Sequence, residues 1–503
     1  MRTPGRRASR LLVAVTLAVS LAGPASLAVA PSPARAAERP ELRPWPGPGF
    51  RTEQGSWMRP LDPRVSFSPL VTVGDSILGP VEDAENFLFF PAPDGIGLQD
   101  LGQGLAEIYV THQTSWEDGI GSGRVSRLLL DERSRRVVAA DWLVDGETVG
   151  ETFEDLSSAF LADTHEGFLT SQFLVNEGSM LGPNRGIVAA VDVRSGIVTP
   201  LPWLGHFQHD MTLMLPLANG RLVAILTENG DPGRSQLYMY LADSDTDFLS
   251  GRGSLYVLRA DPPSDRPDTQ SAAMARKTKP PLTGRFVPVR GFTVAGDPTA
   301  ASAVELSARA ARALDFVRLG DVALDPRNPG AFFLADIGDE YFMDPVSGRP
   351  VTGNGRIYRI ELDPFDPTLV REIRVVLDGD EADDIYRPHD LETDMQSLMI
   401  QEDPGRRGIR PSRVLRFDLT TRRLDVLAEC AERDPQGRMS PEGTGGLWRA
   451  AGIVDASEAF GPGTWLVAVQ ARNDRSTTFD GHGGGGQLLL MRTSPWAGDK
   501  KKR

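Results

Sequence analysis

Short apolar runs, each closed by a polar or acidic turn, follow one another along most of this chain. "GRLVAILTENG" (Gly220–Gly230), "GAFFLADIGDE" (Gly330–Glu340), "QSLMIQEDPG" (Gln396–Gly405) and "GTWLVAVQARND" (Gly463–Asp474) are of one kind. Each is too short for an ordinary helix and apolar at successive positions, the pattern of a buried strand that emerges into a loop. A second kind follows the first: "GRVSRLLLDERSRRVVAADWLV" from Gly123, "GRIYRIELDPFDPTLVREIRVV" from Gly355 and "SRVLRFDLTTRRLDVLAE" from Ser412. These read as strand, tight polar turn, strand. A third kind precedes the first: "HDMTLMLPLANG" from His209, "GDVALDPRNPG" from Gly320 and "HDLETDMQ" from His389. In order, the three kinds make a four-strand unit, and its recurrence predicts a β-propeller. The expected fold is all-β, a six-bladed β-propeller with a short helical insertion.

One stretch breaks the pattern. "PTAASAVELSARAARALDF" (Pro298–Phe316) reads as a helix, behind the polar "PPSDRPDTQSAAMARKTKPP" from Pro262. Residues 262–300 are therefore expected to form a flexible insertion in a propeller spanning 86–495, with an N-terminal extension over 37–85 and a basic tail over 496–503. Residues 1–36 read as an export signal: Arg2, Arg6, Arg7 and Arg10 precede the apolar "LLVAVTLAVSLA", and Ala34-Arg35-Ala36 fits a cleavage site. The Arg6-Arg7 pair leaves both the general and the twin-arginine routes open. No later stretch approaches the ~20 apolar residues of a membrane span. A periplasmic or extracellular monomer without a transmembrane segment is expected.

The strand pattern places acids. In an antiparallel hairpin the start of one strand lies beside the end of the next. His209-Asp210 should thus approach Glu228, Asp321 should approach Asp336, and His389-Asp390 should approach Glu402-Asp403. In a propeller these edges face one mouth, and carboxylates crowded there call for cations, with oxygen donors suiting Ca²⁺ or Mg²⁺ and also iron or manganese. His112 and His165 carry weaker signals. The net charge of -14, from 68 acids and 54 bases, denies nucleic acid its basic footprint. Cys430 is the only cysteine, which rules out an intramolecular disulfide. The metalloprotease, serine-esterase, phosphate-loop and paired-cysteine motifs are missing from the sequence.

From about Asn86 to Arg492 the chain resembles the secreted PhoX-type alkaline phosphatase family. "GHFQHDMTLMLPLANGRLVAILTENG" followed by "SQLYMYLADSDTDFLSGRGSLYVLRA" carries most of the likeness. "FVRLGDVALDP", "RPHDLETDMQSLMIQED" and "WRAAGIVDASEAFGPGTWLVAVQARND" add to it. The resemblance implies a six-bladed propeller with calcium and iron at one mouth. It implies metal ligands at Glu177, Asp210, Glu228, Asp390 and Glu402, and a substrate- or metal-proximal Arg318 with the acidic Asp321 beside it as a further ligand. The sequence departs from the family at three places. Asn176 stands where the family has a cysteine on iron, Gly320 stands where a carboxylate is expected, and His389-Asp390 replaces Asp-Asn. Two anionic ligands fewer weaken the iron site far more than the calcium site.

Three functions fit. The first is a metal-dependent hydrolase of a small-molecule phosphoester. The second is a non-catalytic, calcium-stabilised propeller that binds a ligand or partner. The third is a propeller lactonase.

Overall fold

The computed structural model describes residues 41–494 apart from 78–85, 116–120, 147–151, 217–219, 262–269, 272–279, 293–295, 344–347, 406–409, 433–447, 472–477, 480–481 and 484. The stretch read as an export signal, the basic tail and most of the first half of the 262–300 insertion lie outside the described residues.

Antiparallel meanders make up the chain. Pro93–Gly102, Leu105–His112, Arg124–Asp131 and Arg136–Val144 form one sheet, and Leu156–Ala162, Gln172–Glu177, Val188–Asp192 and Val198–Pro200 form the next. Two further meanders share a nine-stranded sheet. One runs from His209–Leu215 through Leu222–Glu228 and Leu237–Ala242 to Ser254–Asp261; the other runs from Leu319–Leu324 through Ala331–Asp336 and Arg356–Leu362 to Leu369–Asp378. Pro388–Thr393, Ser397–Glu402, Arg413–Asp418 and Leu424–Cys430 follow, and the last sheet holds Trp448–Asp455, Thr464–Ala471 and Gly485–Thr493.

Burial follows position within each meander. Second strands such as Gln172–Glu177, Ala331–Asp336 and Thr464–Ala471 are buried along their whole length, whereas the outer strand Leu369–Asp378 alternates towards solvent. A second strand is covered on both faces because neighbouring sheets stack on either side, which explains its unbroken apolar sequence. The cores between sheets show the stacking. Val125 and Tyr109 meet Phe173 and Val175; Leu174 and Ala190 meet Ala224 and Tyr238; Ile225 and Met239 meet Leu334 and Tyr358. Phe333 and Ile357 meet Leu398 and Leu415; Met399 and Val414 meet Trp448 and Val467; Leu466 and Leu488 return to Ile108 and Leu128. The first strands likewise touch in sequence, and Trp448–Asp455 returns to Pro93–Gly102. The arrangement is all-β and propeller-like. Each fully buried Leu, Ile, Val or Phe in these cores contributes about 1.5–3 kcal/mol.

The N-terminal stretch expected as an extension is woven into the sheets. Met58–Pro60 pairs with Leu424–Cys430, and Val65–Thr72 pairs with Gly485–Thr493, so the two ends of the chain share one sheet. Trp57 stacks on Trp448 with ring centroids 4.4 Å apart. The 262–300 insertion is not wholly irregular either. Leu282–Pro288 is a strand between Ser254–Asp261 and Leu369–Asp378, with Phe286 buried, and it joins the two meanders of the nine-stranded sheet. The helix runs over Ala300–Ala310 rather than to Phe316, burying Val304 and Ala308 one turn apart. Arg312 turns the chain at φ 57°, and Leu314–Asp315 is already extended.

Candidate functional site

The hairpin registers bring the expected positions opposite one another. His209 pairs with Glu228, Leu319 with Asp336, and Pro388 with Glu402. The side chains then part. The acids at the ends of second strands are taken up by their own loops. Glu177 accepts from the backbone N–H groups of Glu154 (3.0 Å) and Gly186 (2.9 Å), and burial pushes its pKa up to about 8. Glu228 accepts from Gln236 N–H at 3.0 Å, and burial raises it well above the carboxylate range. Asp336 accepts from Arg318 and Val317 N–H at 2.9 and 3.1 Å. Glu402 is held by Tyr386 N–H at 2.7 Å and by the Arg413 guanidinium at 2.7 and 2.8 Å. Each is a strand-end anchor, and Glu177, Glu228 and Glu402 do not converge with Asp210.

A different set gathers where the first strands meet. Their second residues are Asp94, Ser157, Asp210, Gly320, His389 and Arg449. Arg449 donates to Asp94 Oδ2 at 2.8 Å and lies 3.3 Å from His389 Nε2. His389 lies 4.0 Å from Asp210 and 3.1 Å from its own neighbour Asp390. Ser158 donates to Asp390 at 3.3 Å, and Asp321 accepts from Leu391 N–H at 3.1 Å. Burial and the Arg449 guanidinium oppose a charge on His389, but Asp390 and Asp210 outweigh them and raise its pKa. Burial would raise Asp390 too, but His389 and Arg449 bring it below the usual value. Asp321 is pushed well above that range by burial and by its acidic neighbours Asp390 and Asp210, and Asp210 is raised by burial. Asp390 and Asp210 thus both act on Asp321 across this region, while the other expected ligands stay with their loops.

At one end of this network lies a polar cavity of about 140 Å³ lined by Asp210, Asn229, Arg318, Arg387, His389 and Arg449, among others. Arg318 lines it, donating to Asn229 Oδ1 at 2.6 Å, while Asn229 donates to Asp210 at 3.0 Å. Arg387 and Arg449 were not among the expected residues. Arg387 sits at φ 50°, a conformation that a non-glycine residue adopts only under constraint, with Asp403 at 3.8 Å. Asp403 is brought down to about 2: burial opposes its charge, and Arg387, Arg449 and His389 overcome that. Arg449 was open to discovery, because it fills the strand position that His389 and Gly320 fill in their own units. Three other histidines are engaged elsewhere. His112 bonds Pro91 O and Ser126 Oγ, His209 bonds Gly205 O and stacks on Phe207, and His165 pairs with Asp163 at the surface.

The donors do not fit iron. Asn176 is used up, donating to Ser158 O at 2.7 Å and accepting from Thr212 at 2.6 Å. A Cβ at Gly320 would stand 2.8 Å from His389 O, so no carboxylate can occupy that position without backbone movement. For calcium, Asp210 Oδ2, Asp321 Oδ1 and Asp390 Oδ2 are hard oxygen donors, buried and without hydrogen-bond partners. Among the described residues, no three His, Cys, Asp or Glu side chains are drawn together into a metal-binding group.

No family model matches the chain, and no curated protein matches it. Solved structures do. Pseudomonas fluorescens PhoX, in complex with the transition-state analogue vanadate, superposes with a TM-score of 0.59 at 13% identity, over 90% of this chain and 98% of that one. A Dyadobacter fermentans protein of unknown function gives 0.44 at 8% identity, over 86% of this chain and 100% of that one. Penicillium chrysogenum α-L-arabinanase with arabinobiose gives 0.41 at 11%, over 85% and 98%. The first likeness shows a shared propeller-like fold.

Proposed function

We propose that this chain is an exported, six-bladed β-propeller phosphoesterase that takes a small phosphoester at the Arg318–Arg387–Arg449 cavity. The blade number follows from assigning one blade to each first strand. The observation that carries the function is that three arginines, from three different meanders, line one small polar cavity beside the His389–Asp210 pair. Guanidinium groups match phosphoryl oxygens in charge and in geometry. In this reading Arg318 and Arg387 hold the phosphoryl group. His389, charged through Asp390, donates a proton to the leaving oxygen as its bond to phosphorus breaks, and Asp210 orients the attacking water and takes its proton. Calcium, where bound, would be held by Asp210, Asp321 and Asp390 and would supply positive charge near the phosphoryl group. The fold shared with a phosphatase crystallised with vanadate supports the choice of ester.

A second reading keeps the ligand and drops the turnover. The loss of the family's ligands at Asn176 and Gly320 favours it. The test is hydrolysis of an aryl phosphomonoester, an aryl phosphodiester and an aliphatic lactone by purified protein, each with added Ca²⁺ and with chelator. Phosphoester turnover that Arg387→Met abolishes supports the enzyme. Saturable phosphate binding without turnover supports the second reading, and lactone turnover alone contradicts both.

A further inference from the structure

The arginine cavity is lopsided in charge. Ala92, Asp155, Gln208, Arg318 and Arg387 each stand immediately before the first strand of a meander. First strands touch in chain order and the last returns to the first, so these positions follow one another around a closed cycle. Asp155, Gln208, Arg318 and Arg387 all line the cavity. The strands behind Asp155 and Arg387 are three steps apart whichever way the cycle is followed, which sets the two residues across the cavity from each other. Asp155 is half-buried and sits at φ 59°. A Cβ at Gly178, which also lines the cavity, would stand 3.2 Å from Asp155 Oδ2, so the carboxylate lies against that wall. The other two carboxylates lining the cavity are engaged: Asp210 accepts from Asn229 at 3.0 Å, and Asp403 lies 3.8 Å from Arg387. Among the described residues, the Asp155 carboxylate has neither a hydrogen-bond donor nor an ion-pair partner.

We propose that Asp155 selects the alcohol half of the ester: the cavity takes a phosphomonoester of a short amino alcohol, with the ammonium group on Asp155 and the phosphoryl group on Arg318 and Arg387. The proposal rests on the phosphoryl reading of this cavity given above. A phosphoryl group held by the arginines faces a bare carboxylate across the cavity, and like charges repel. An ammonium on the ester's arm neutralises that carboxylate, and the side-chain oxygen of Gln208, next to Asp155 in the cycle, can accept a further N–H. The cavity volume of about 140 Å³ keeps that arm short. An arm ending in a carboxylate would add a second repulsion, and a neutral arm would leave Asp155 unpaired. A metal ion needs several donors, and among the described residues no three His, Cys, Asp or Glu side chains are drawn together. The left-handed backbone alone does not call for the charge, because Asn or Gly adopts it as readily as Asp.

The test is calorimetric titration of the mature chain with 3-aminopropylphosphonate, butylphosphonate and 4-phosphonobutyrate. Their carbon–phosphorus bond stands in for the ester link and is not hydrolysed, and the three share one arm length. The wild type should bind the amine about five-fold or more tightly than the butyl compound, and the carboxylate most weakly. Asp155→Asn and Asp155→Gly, both of which tolerate the left-handed backbone, should bring the ratio of amine to butyl affinity to about one. That ratio is the readout because a general loss of phosphonate affinity does not move it. Thermal unfolding confirms that each variant is folded, and the ranking of the three compounds by the wild type carries the test if neither is. Equal affinity of the wild type for the amine and the butyl compound would overturn the proposal and leave the phosphoryl reading in place, as would a preference that survives both substitutions. Failure of the wild type to bind any phosphonate or inorganic phosphate would overturn both.

Discussion

Arg449 and Asp94 lie 355 residues apart in sequence, and their side chains meet at 2.8 Å where the last first-strand closes on the first one. Gln470 donates to the same Asp94 oxygen at 2.7 Å. Both charges are buried, and removing one partner leaves the other without its opposite charge. Arg449→Met should cost about 3–5 kcal/mol in urea unfolding, and adding Asp94→Asn should restore part of that loss. Equal stability of Arg449→Met and wild type would mean that the pair does not hold the closure.

The closure also depends on the N-terminus. A chain beginning at Gly74 lacks Val65–Thr72 and leaves the Gly485–Thr493 edge unpaired. Unpaired edges aggregate. Size-exclusion chromatography should show this truncated chain as oligomers, and its thermal unfolding should lose cooperativity. A monomer with the wild-type melting temperature would show that this strand is dispensable.

The meanders were legible because second strands are buried on both faces and announce themselves as apolar runs. The outer strand Val65–Thr72 was not, because it is half-buried, contains Pro69 and pairs with a partner more than 400 residues away. At the site, strand register was legible and side-chain direction was not. Glu228 does lie opposite His209, yet its carboxylate turns to the Gln236 amide, a contact set by loop conformation that no spacing reveals. Arg318 and the three axial aspartates were named from sequence, whereas Arg387 owes its place to a left-handed backbone that sequence does not advertise.

Burial lowers His112 to about 3, and its ring is enclosed by bonds to Pro91 and Ser126. In the unfolded chain the same imidazole titrates near 6.5. Between these values the unfolded state binds a proton that the folded state refuses, so this contribution to stability is present above pH 6.5 and is lost as pH falls towards 3. The loss amounts to about 5 kcal/mol at most. His112→Gln should flatten the acid limb of stability against pH by that order. An unchanged slope between pH 6.5 and 4 would contradict the burial of a neutral ring.

The proposed function puts calcium, where bound, on Asp210, Asp321 and Asp390 and not on the strand-end glutamates. Adding chelator should lower the melting temperature of the wild type. Glu228→Gln and Glu402→Gln should keep that response, and Asp390→Asn should lose it. A response lost in Glu402→Gln would restore the ligand set implied by the family resemblance. No response in the wild type would remove calcium from the account.

The central claim is that the arginine-lined cavity recognises a phosphoryl group. Calorimetric titration of the mature chain with inorganic phosphate, compared with Arg318→Met and Arg387→Met, tests it most directly. The account predicts saturable binding by the wild type and a loss of about ten-fold or more in affinity for each variant. Phosphate binding of equal strength in all three proteins, or none in the wild type, would contradict it.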